Sequence, residues 1–231
     1  MKVAMHAPQP HAHAHAHPLV WRHLPALAIA ALAMLLSGCS ALPDKPARAA
    51  TYDFGPGAVV PEAATRLAPL PPLALAEIEA PTALDGTAMY YRLGYADAQQ
   101  LHPYSQARWS MSPAQLVMQQ LRQTLGQHRA LLTAGEGPAV NRLQGKLPNV
   151  LRMEIEEFSQ LFQSVTSSTG LIRLRVTLVD VTPAGEKLIA QRRIVVQRPA
   201  PSADAPGGAR ALADATAAAA EEISQWLQQM P

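Results

Sequence analysis

Residues 171–197 read LIRLRVTLVDVTPAGEKLIAQRRIVVQ and are typical of two antiparallel strands joined by a short turn. Apolar and polar residues alternate in both halves, which gives each strand one apolar face. Those faces carry Ile172, Leu174, Val176 and Leu178 in the first strand and Leu188, Ala190, Ile194 and Val196 in the second. Because Thr-Pro-Ala-Gly at 182–185 is a turn sequence, the stretch predicts a β-hairpin over 171–181 and 187–197.

Upstream segments at 73–80, 88–93 and 150–158 also alternate and predict strands. In 73–80, Leu73 and Leu75 share a face, whereas Ile78 is out of phase. In 150–158 one face is apolar, with Leu151, Met153 and Ile155, and the other is charged, with Arg152, Glu154 and Glu156. A short edge strand is also expected at Tyr52-Asp53-Phe54.

Two segments predict helices. Ser112-Pro113-Ala114-Gln115 combines an N-cap, a proline at the first helical position and a capping box. The buried stripe of this helix is Leu116, Val117, Leu121 and Leu125, and Gly126 ends it. Residues 209–230 form a second amphipathic helix, with one face carrying Leu212, Thr216, Ala219, Ile223, Trp226 and Leu227.

The order of elements is strands, helix, three strands and helix. This order predicts an α/β fold, in which a mixed β-sheet of about five strands carries two packed helices. We expect residues 73–231 to form this single domain.

The N-terminal residues indicate export. Residues 26–36 (ALAIAALAMLL) are an uninterrupted apolar run that is too short for a comfortable transmembrane helix and suits the apolar core of a signal peptide. Leu36, Ser37 and Gly38 then precede Cys39, the only cysteine of the chain, and this tetrad resembles the lipobox of bacterial lipoproteins. We therefore predict a signal peptide over 1–38 and lipidation of the Cys39 thiol. Translation from Met1 or from Met5 is an open alternative.

Residues 39–72 are rich in proline and small residues and predict a lipidated flexible tether. The acyl chains on a lipoprotein cysteine, palmitate among them, would hold the chain permanently at a membrane. Ser40 replaces the aspartate that often retains lipoproteins at the inner membrane. By that resemblance, we expect the protein at the inner leaflet of the outer membrane, facing the periplasm.

Charge and composition exclude several classes of function. Removal of the leader, with Lys2 and Arg22, leaves 17 basic and 17 acidic residues, so no basic surface for nucleic acid is expected. His102 and His128 have no ligand partner at a useful spacing, and we expect no metal, no cofactor and no enzymatic activity. Glu154 and Glu156 are interpreted as cross-strand ion-pair partners of Arg173 and Arg175, not as catalytic carboxylates.

The order of short motifs before the first helix resembles the ABC-type transport auxiliary lipoproteins, the PqiC-like group. The motifs are Tyr91-Arg92 in a strand, Tyr104, and Arg108-Trp109 in the following loop, after a lipobox and a proline-rich lead. One departure is Ser110-Met111-Ser112-Pro113, where family members often have an acidic residue and a proline after the tryptophan. The resemblance implies a fold similar to the N-terminal domain of TolB.

The resemblance also implies an accessory function. The family works with an ABC permease, its ATPase and an MCE-domain protein that carries lipids between the membranes. Tyr91, Tyr104, Arg108 and Trp109 would then either contact a partner or form an aromatic cluster that holds the loop. The alternatives left open are an envelope structural or assembly lipoprotein without a transport role, and self-association into a homo-oligomer.

Overall fold

A computed structural model describes residues 48–57, 70–134, 147–182 and 184–230. In chain order these residues form β1 Ala50–Tyr52, β2 Leu70–Glu79, β3 Ala88–Leu93, β4 Asp97–Trp109, α1 Pro113–Leu125, β5 Arg129–Thr133, β6 Asn149–Ser164, β7 Ser167–Thr182, β8 Gly185–Pro199 and α2 Ala205–Gln228. The predicted α/β fold is confirmed, with eight strands in place of about five.

The strand β6 organises the sheet. It pairs along one edge with β7, which continues into β8, so the predicted hairpin is confirmed as an antiparallel pair. Along its other edge β6 pairs with β2 near its start and with β3 near its end, both parallel. The order on that side is β1-β4-β3-β6-β2-β5, in which β4 lies antiparallel to β3.

The two helices bury the faces that their sequences predict. Ser112 forms the complete capping box with Gln115, and the α1 stripe is buried. The apolar face of α2 is also buried, including Trp226 and Leu227, and it packs against β7, β8 and α1. No helix among the described residues is long and apolar enough to cross a membrane.

Two β-bulges change the phase of residues that simple alternation assigns to a face. Between Leu75 and Ile78 the strand β2 advances by three residues, whereas its partner β6 advances by only two, from Leu151 to Met153. The extra residue of β2 changes the phase of the strand, and Ile78 is buried. In β8, Leu188 and Ala190 are partners of the adjacent residues Val179 and Leu178, with one residue of β8 left unmatched. The prediction that Leu188 faces the core is therefore wrong, since this residue is 60% exposed.

The other differences lie at element boundaries. Residues 50–52 pair with β4 and β2 begins at Leu70, so two segments within the range 39–72, which the sequence predicts as a flexible tether, lie in strands. The loop expected to carry Tyr104 and Arg108-Trp109 is the strand β4. The strand β5 has only five residues, too short for a clear periodicity, and was not expected. The helix α2 starts earlier than predicted, because Asp204 caps the amide of Gly207.

Gly170 allows α2 to lie directly on β7. A Cβ at this position would be 2.5 Å from main-chain atoms of Ala211 and Leu212, a distance that only movement of the helix could relieve. We expect Gly170→Ala to lower the free energy of unfolding by about 1–3 kcal/mol, measured by urea denaturation. Gly86→Ala is the control, because nothing lies within 4 Å of a Cβ there. Equal stability losses in the two variants would contradict the close approach of the helix.

Candidate functional site

The structure separates the four residues predicted to contact a partner into two groups. Tyr91 on β3 and Tyr104 on β4 lie together, with ring centroids 4.7 Å apart. His102 stacks on Tyr91 at 5.1 Å, and Phe162 of β6 meets Tyr91 edge-on at 5.8 Å. Arg108 and Trp109 are the last two residues of β4, and Trp109 packs against Phe54 and Phe158 instead, so no single cluster unites the four residues.

Tyr104 is joined to a buried polar network. Its hydroxyl donates to Oε1 of Gln160 at 2.8 Å, and Nε2 of Gln160 donates to Oγ of Ser168 at 2.7 Å. Burial raises the pKa of Tyr104 well above its usual range, and the neighbouring Tyr91 and Asp204 act in the same direction. The phenol therefore stays protonated and serves as a hydrogen-bond donor that links β4 to β6.

Gln160 is the member of this network that the sequence analysis missed. It is completely buried, and Gly208 of α2 leaves the space that its side chain occupies. The sequence did contain an indication of its burial. Gln160 lies two residues from both Phe158 and Phe162, so all three side chains are expected on the same, apolar face of the strand. Because both ends of this buried amide are hydrogen-bonded, Gln160 joins β6 to β4 and to β7 at the place where α2 begins.

Trp109 belongs to the core. It is only 2% exposed, and its ring meets Phe54 at 5.9 Å and Phe158 at 5.7 Å, both edge-to-face. The side chain has no surface left for a partner, so the alternative of an aromatic cluster applies to this residue. Phe54, which follows β1, is thereby held on the domain by two aromatic contacts.

Arg108 is the exposed member of the predicted set. Within the part of the chain that the structure describes, its guanidinium makes no hydrogen bond or ion pair. Arg92, by contrast, donates two hydrogen bonds to the carboxylate of Glu157 and one each to the carbonyls of Ala98 and Gln99. Arg92 therefore ties β3 to β6 and β4, whereas Arg108 remains available at the surface.

The carboxylates of β6 are ion-paired as predicted, with one change of partner. Arg175 contacts both Glu154 and Glu156, but the second cation at Glu156 is Arg193 of β8 and not Arg173. Burial of Glu156 opposes ionisation, yet its hydrogen bonds with Arg193 and Arg175 and their charges outweigh it and lower the pKa of this carboxyl. These groups form a charged surface on β6, β7 and β8. The described residues contain no group of three or more His, Cys, Asp or Glu that could hold a metal ion.

A surface groove of about 810 Å³ lies beside α1. One wall is the end of β2 and the connection to β3, with Glu77, Ile78 and Asp85, and the other is the outer side of α1, with Met118 and Arg122. Its lining combines apolar side chains with the charged groups of Glu77, Asp85 and Arg122. Such a concave surface is a candidate for the binding of another molecule.

The lipobox residues Leu36, Ser37, Gly38 and Cys39 lie outside the described residues. Their lipidation is taken up below as a proposal.

The comparisons with known proteins agree with this fold. A family model for the ABC-type transport auxiliary lipoprotein component matches residues 52–224, from the end of β1 to the last turns of α2. The solved structure of XCC0632 from Xanthomonas campestris, of the DUF330 family, is similar with a TM-score of 0.57 and 17% identity, over 69% of this chain and 86% of that one. A second, described as an uncharacterized protein, has a TM-score of 0.55 and 11% identity, over 78% and 99% of the two chains. A search of curated proteins finds no significant match.

Proposed function

Because this chain belongs to the family of ABC-type transport auxiliary lipoprotein components, we propose that it is the non-catalytic, lipid-anchored component of an MCE-type system that moves lipids between the inner and outer membranes. The observation that carries the proposal is the match of the family over 52–224, which includes nearly every described strand and helix. In this proposal Cys39 holds the chain at the inner leaflet of the outer membrane, and residues 40–47 connect the lipid to the domain.

The architecture supports an accessory role. The carboxylates Glu154, Glu156 and Glu157 of β6 are engaged in ion pairs, and Tyr91 and Tyr104 hold strands together. The features left for recognition are surface features, namely the exposed Arg108 and the groove beside α1. The partners in this proposal are an MCE-domain protein and the permease and ATPase that drive the system.

The anchor is tested by Cys39→Ala. We expect complete loss of lipidation and accumulation of the uncleaved precursor, because the thiol is the acceptor of the diacylglyceryl group and its modification precedes cleavage. Labelling of cells with a palmitate analogue, followed by immunoblotting of membrane and soluble fractions, measures both effects. Ser40→Ala is the control and should be labelled and cleaved normally. A Cys39→Ala protein that matures at the same site would contradict the lipobox.

The partner is tested by crosslinking in cells and capture of the lipoprotein. We expect the captured material to contain an MCE-type protein, and deletion of the lipoprotein to increase the permeability of the envelope. Arg108→Ala should reduce capture without lowering the melting temperature, because the guanidinium is exposed and makes no described contact. Arg198→Ala, at an exposed arginine of β8, is the matched control. The absence of any MCE-type protein from the wild-type capture would make the proposed function wrong.

A further inference from the structure

The groove beside α1 has apolar side chains in its lining that the fold of the domain covers only in part. Met111 lies just before the N-cap of α1, and Ala114 and Met118 are four residues apart, which places these two on one side of the helix. All three are only partly buried and pack against the edge of the core, whereas Leu116, Val117 and Leu121 of the same helix are completely buried. The apolar stripe of α1 therefore continues from the core to the groove, which Ile78 of β2 also lines.

The charges at the groove favour a basic occupant. Glu77 and Asp85 lie on the wall made by β2 and its connection, and Arg122 lies near the other end of the groove on α1. Across the described ranges of the chain, none of these three side chains forms an ion pair. Two carboxylates against one guanidinium attract a cationic side chain and repel the phosphate of a lipid headgroup.

The dimensions of the groove suit a helix. Residues 114 to 122 of α1 extend over about 12 Å, which equals roughly two turns of a second helix lying alongside. An amphipathic helix places anchors at i and i+4 on one face, and these would reach the strip between Ile78 and Met118. Methionine side chains are unbranched and adapt to the shape of such anchors.

We propose that this groove binds an amphipathic helix of a partner protein, with apolar anchors against Met111 and Met118 and a lysine or arginine facing Glu77 and Asp85. The inference rests on the proposed function in one respect, since the partner is taken to be the MCE-type protein. It adds the surface that binds the partner and the chemistry of the segment that is bound.

The apolar contact is tested with the full lipoprotein in mild detergent and the purified MCE-type protein, with Kd measured by biolayer interferometry. Met118→Glu should weaken binding at least about tenfold, because it places a charge where an apolar anchor is buried. Leu188→Glu is the matched control, an exposed apolar residue on β8, and should change Kd by less than about twofold. Should Met118→Glu fail to fold, the exposed Gln119→Arg tests the same groove, with Gln225→Arg on α2 as its control.

The charge contact is tested by the double variant Glu77→Gln and Asp85→Asn. It should weaken binding of the MCE-type protein several-fold and reduce the salt dependence of Kd, since the bound cation loses its partners. Stronger binding of this variant to vesicles of phosphatidylglycerol would identify an anionic lipid as the occupant. A molecular mass of the lipoprotein that doubles as its concentration rises, and that Met118→Glu lowers, would identify a second copy of the chain as the occupant of the groove. Either result overturns the proposal.

The two proposals fail in different ways. If the wild-type lipoprotein does not bind the MCE-type protein at all, the proposed function and this partner are both wrong. If it binds and none of the groove variants weakens the complex, the groove is wrong as the binding surface while the proposed function stands.

Discussion

Trp109→Ala is expected to lower the free energy of unfolding by about 3–5 kcal/mol. The indole is 2% exposed and packs edge-to-face against Phe54 and Phe158, so its removal leaves a cavity between β4, β6 and the segment after β1. Because Phe54 loses one of its two aromatic contacts, β1 should also become more accessible to proteases. Urea denaturation and limited proteolysis measure the two effects.

Arg108→Ala is the natural control for this prediction, since it changes the adjacent residue of the same strand. The side chain is exposed, and we expect a change in stability within about 0.5 kcal/mol. Comparison of the two variants therefore distinguishes a residue that stabilises the core, Trp109, from a neighbouring residue that is available to a partner, Arg108. A small loss for Trp109→Ala together with reduced capture of the partner would reverse the assignment and place the tryptophan at the interface.

Trp226→Ala is expected to cost a similar amount, about 3–5 kcal/mol. Trp226 is 6% exposed and lies on the face of α2 that packs into the core together with Ile223 and Leu227. The loss should appear as a lower midpoint of urea denaturation at an unchanged slope, because the folded state still buries the rest of the helix.

Gln225→Ala is the control on the same turn of α2, at an exposed residue. Its effect should stay within about 0.5 kcal/mol. Unchanged stability of Trp226→Ala would mean that the face of α2 serves a partner and does not form part of the core.

Local patterns were sufficient for the elements that contain a strong period or a cap. The hairpin of β7 and β8, both helices and the capping box of Ser112 were predicted because each depends on residues a few positions apart. The edge strand near Tyr52 was expected as well, and the structure places it at Ala50–Tyr52. The strands β4 and β5 were missed, since polar residues interrupt the first and the second has five residues.

The candidate site was only partly predictable. The motif order identified Tyr91, Tyr104, Arg108 and Trp109, but it could not distinguish the exposed arginine from the buried tryptophan or from tyrosines that hold strands together. Gln160 was missed because its hydrogen-bond partners Tyr104 and Ser168 lie on two other strands. The groove was missed because β2, the connection to β3 and α1 meet only in the folded chain.

The sequence by itself determined the fold class, the two helices with their buried faces, the hairpin of β7 and β8, and the order of motifs that indicates the family. These properties follow from the periods of 3.6 and 2 residues and from caps, all of which act within one segment. The tertiary structure alone decided the phase of Ile78 and Leu188, the partners of Glu156 and Gln160, and the formation of the groove. The physical reason is that bulges, cross-strand ion pairs and surface grooves depend on which distant segments become neighbours, and pairing between strands is set by the packing of the whole sheet.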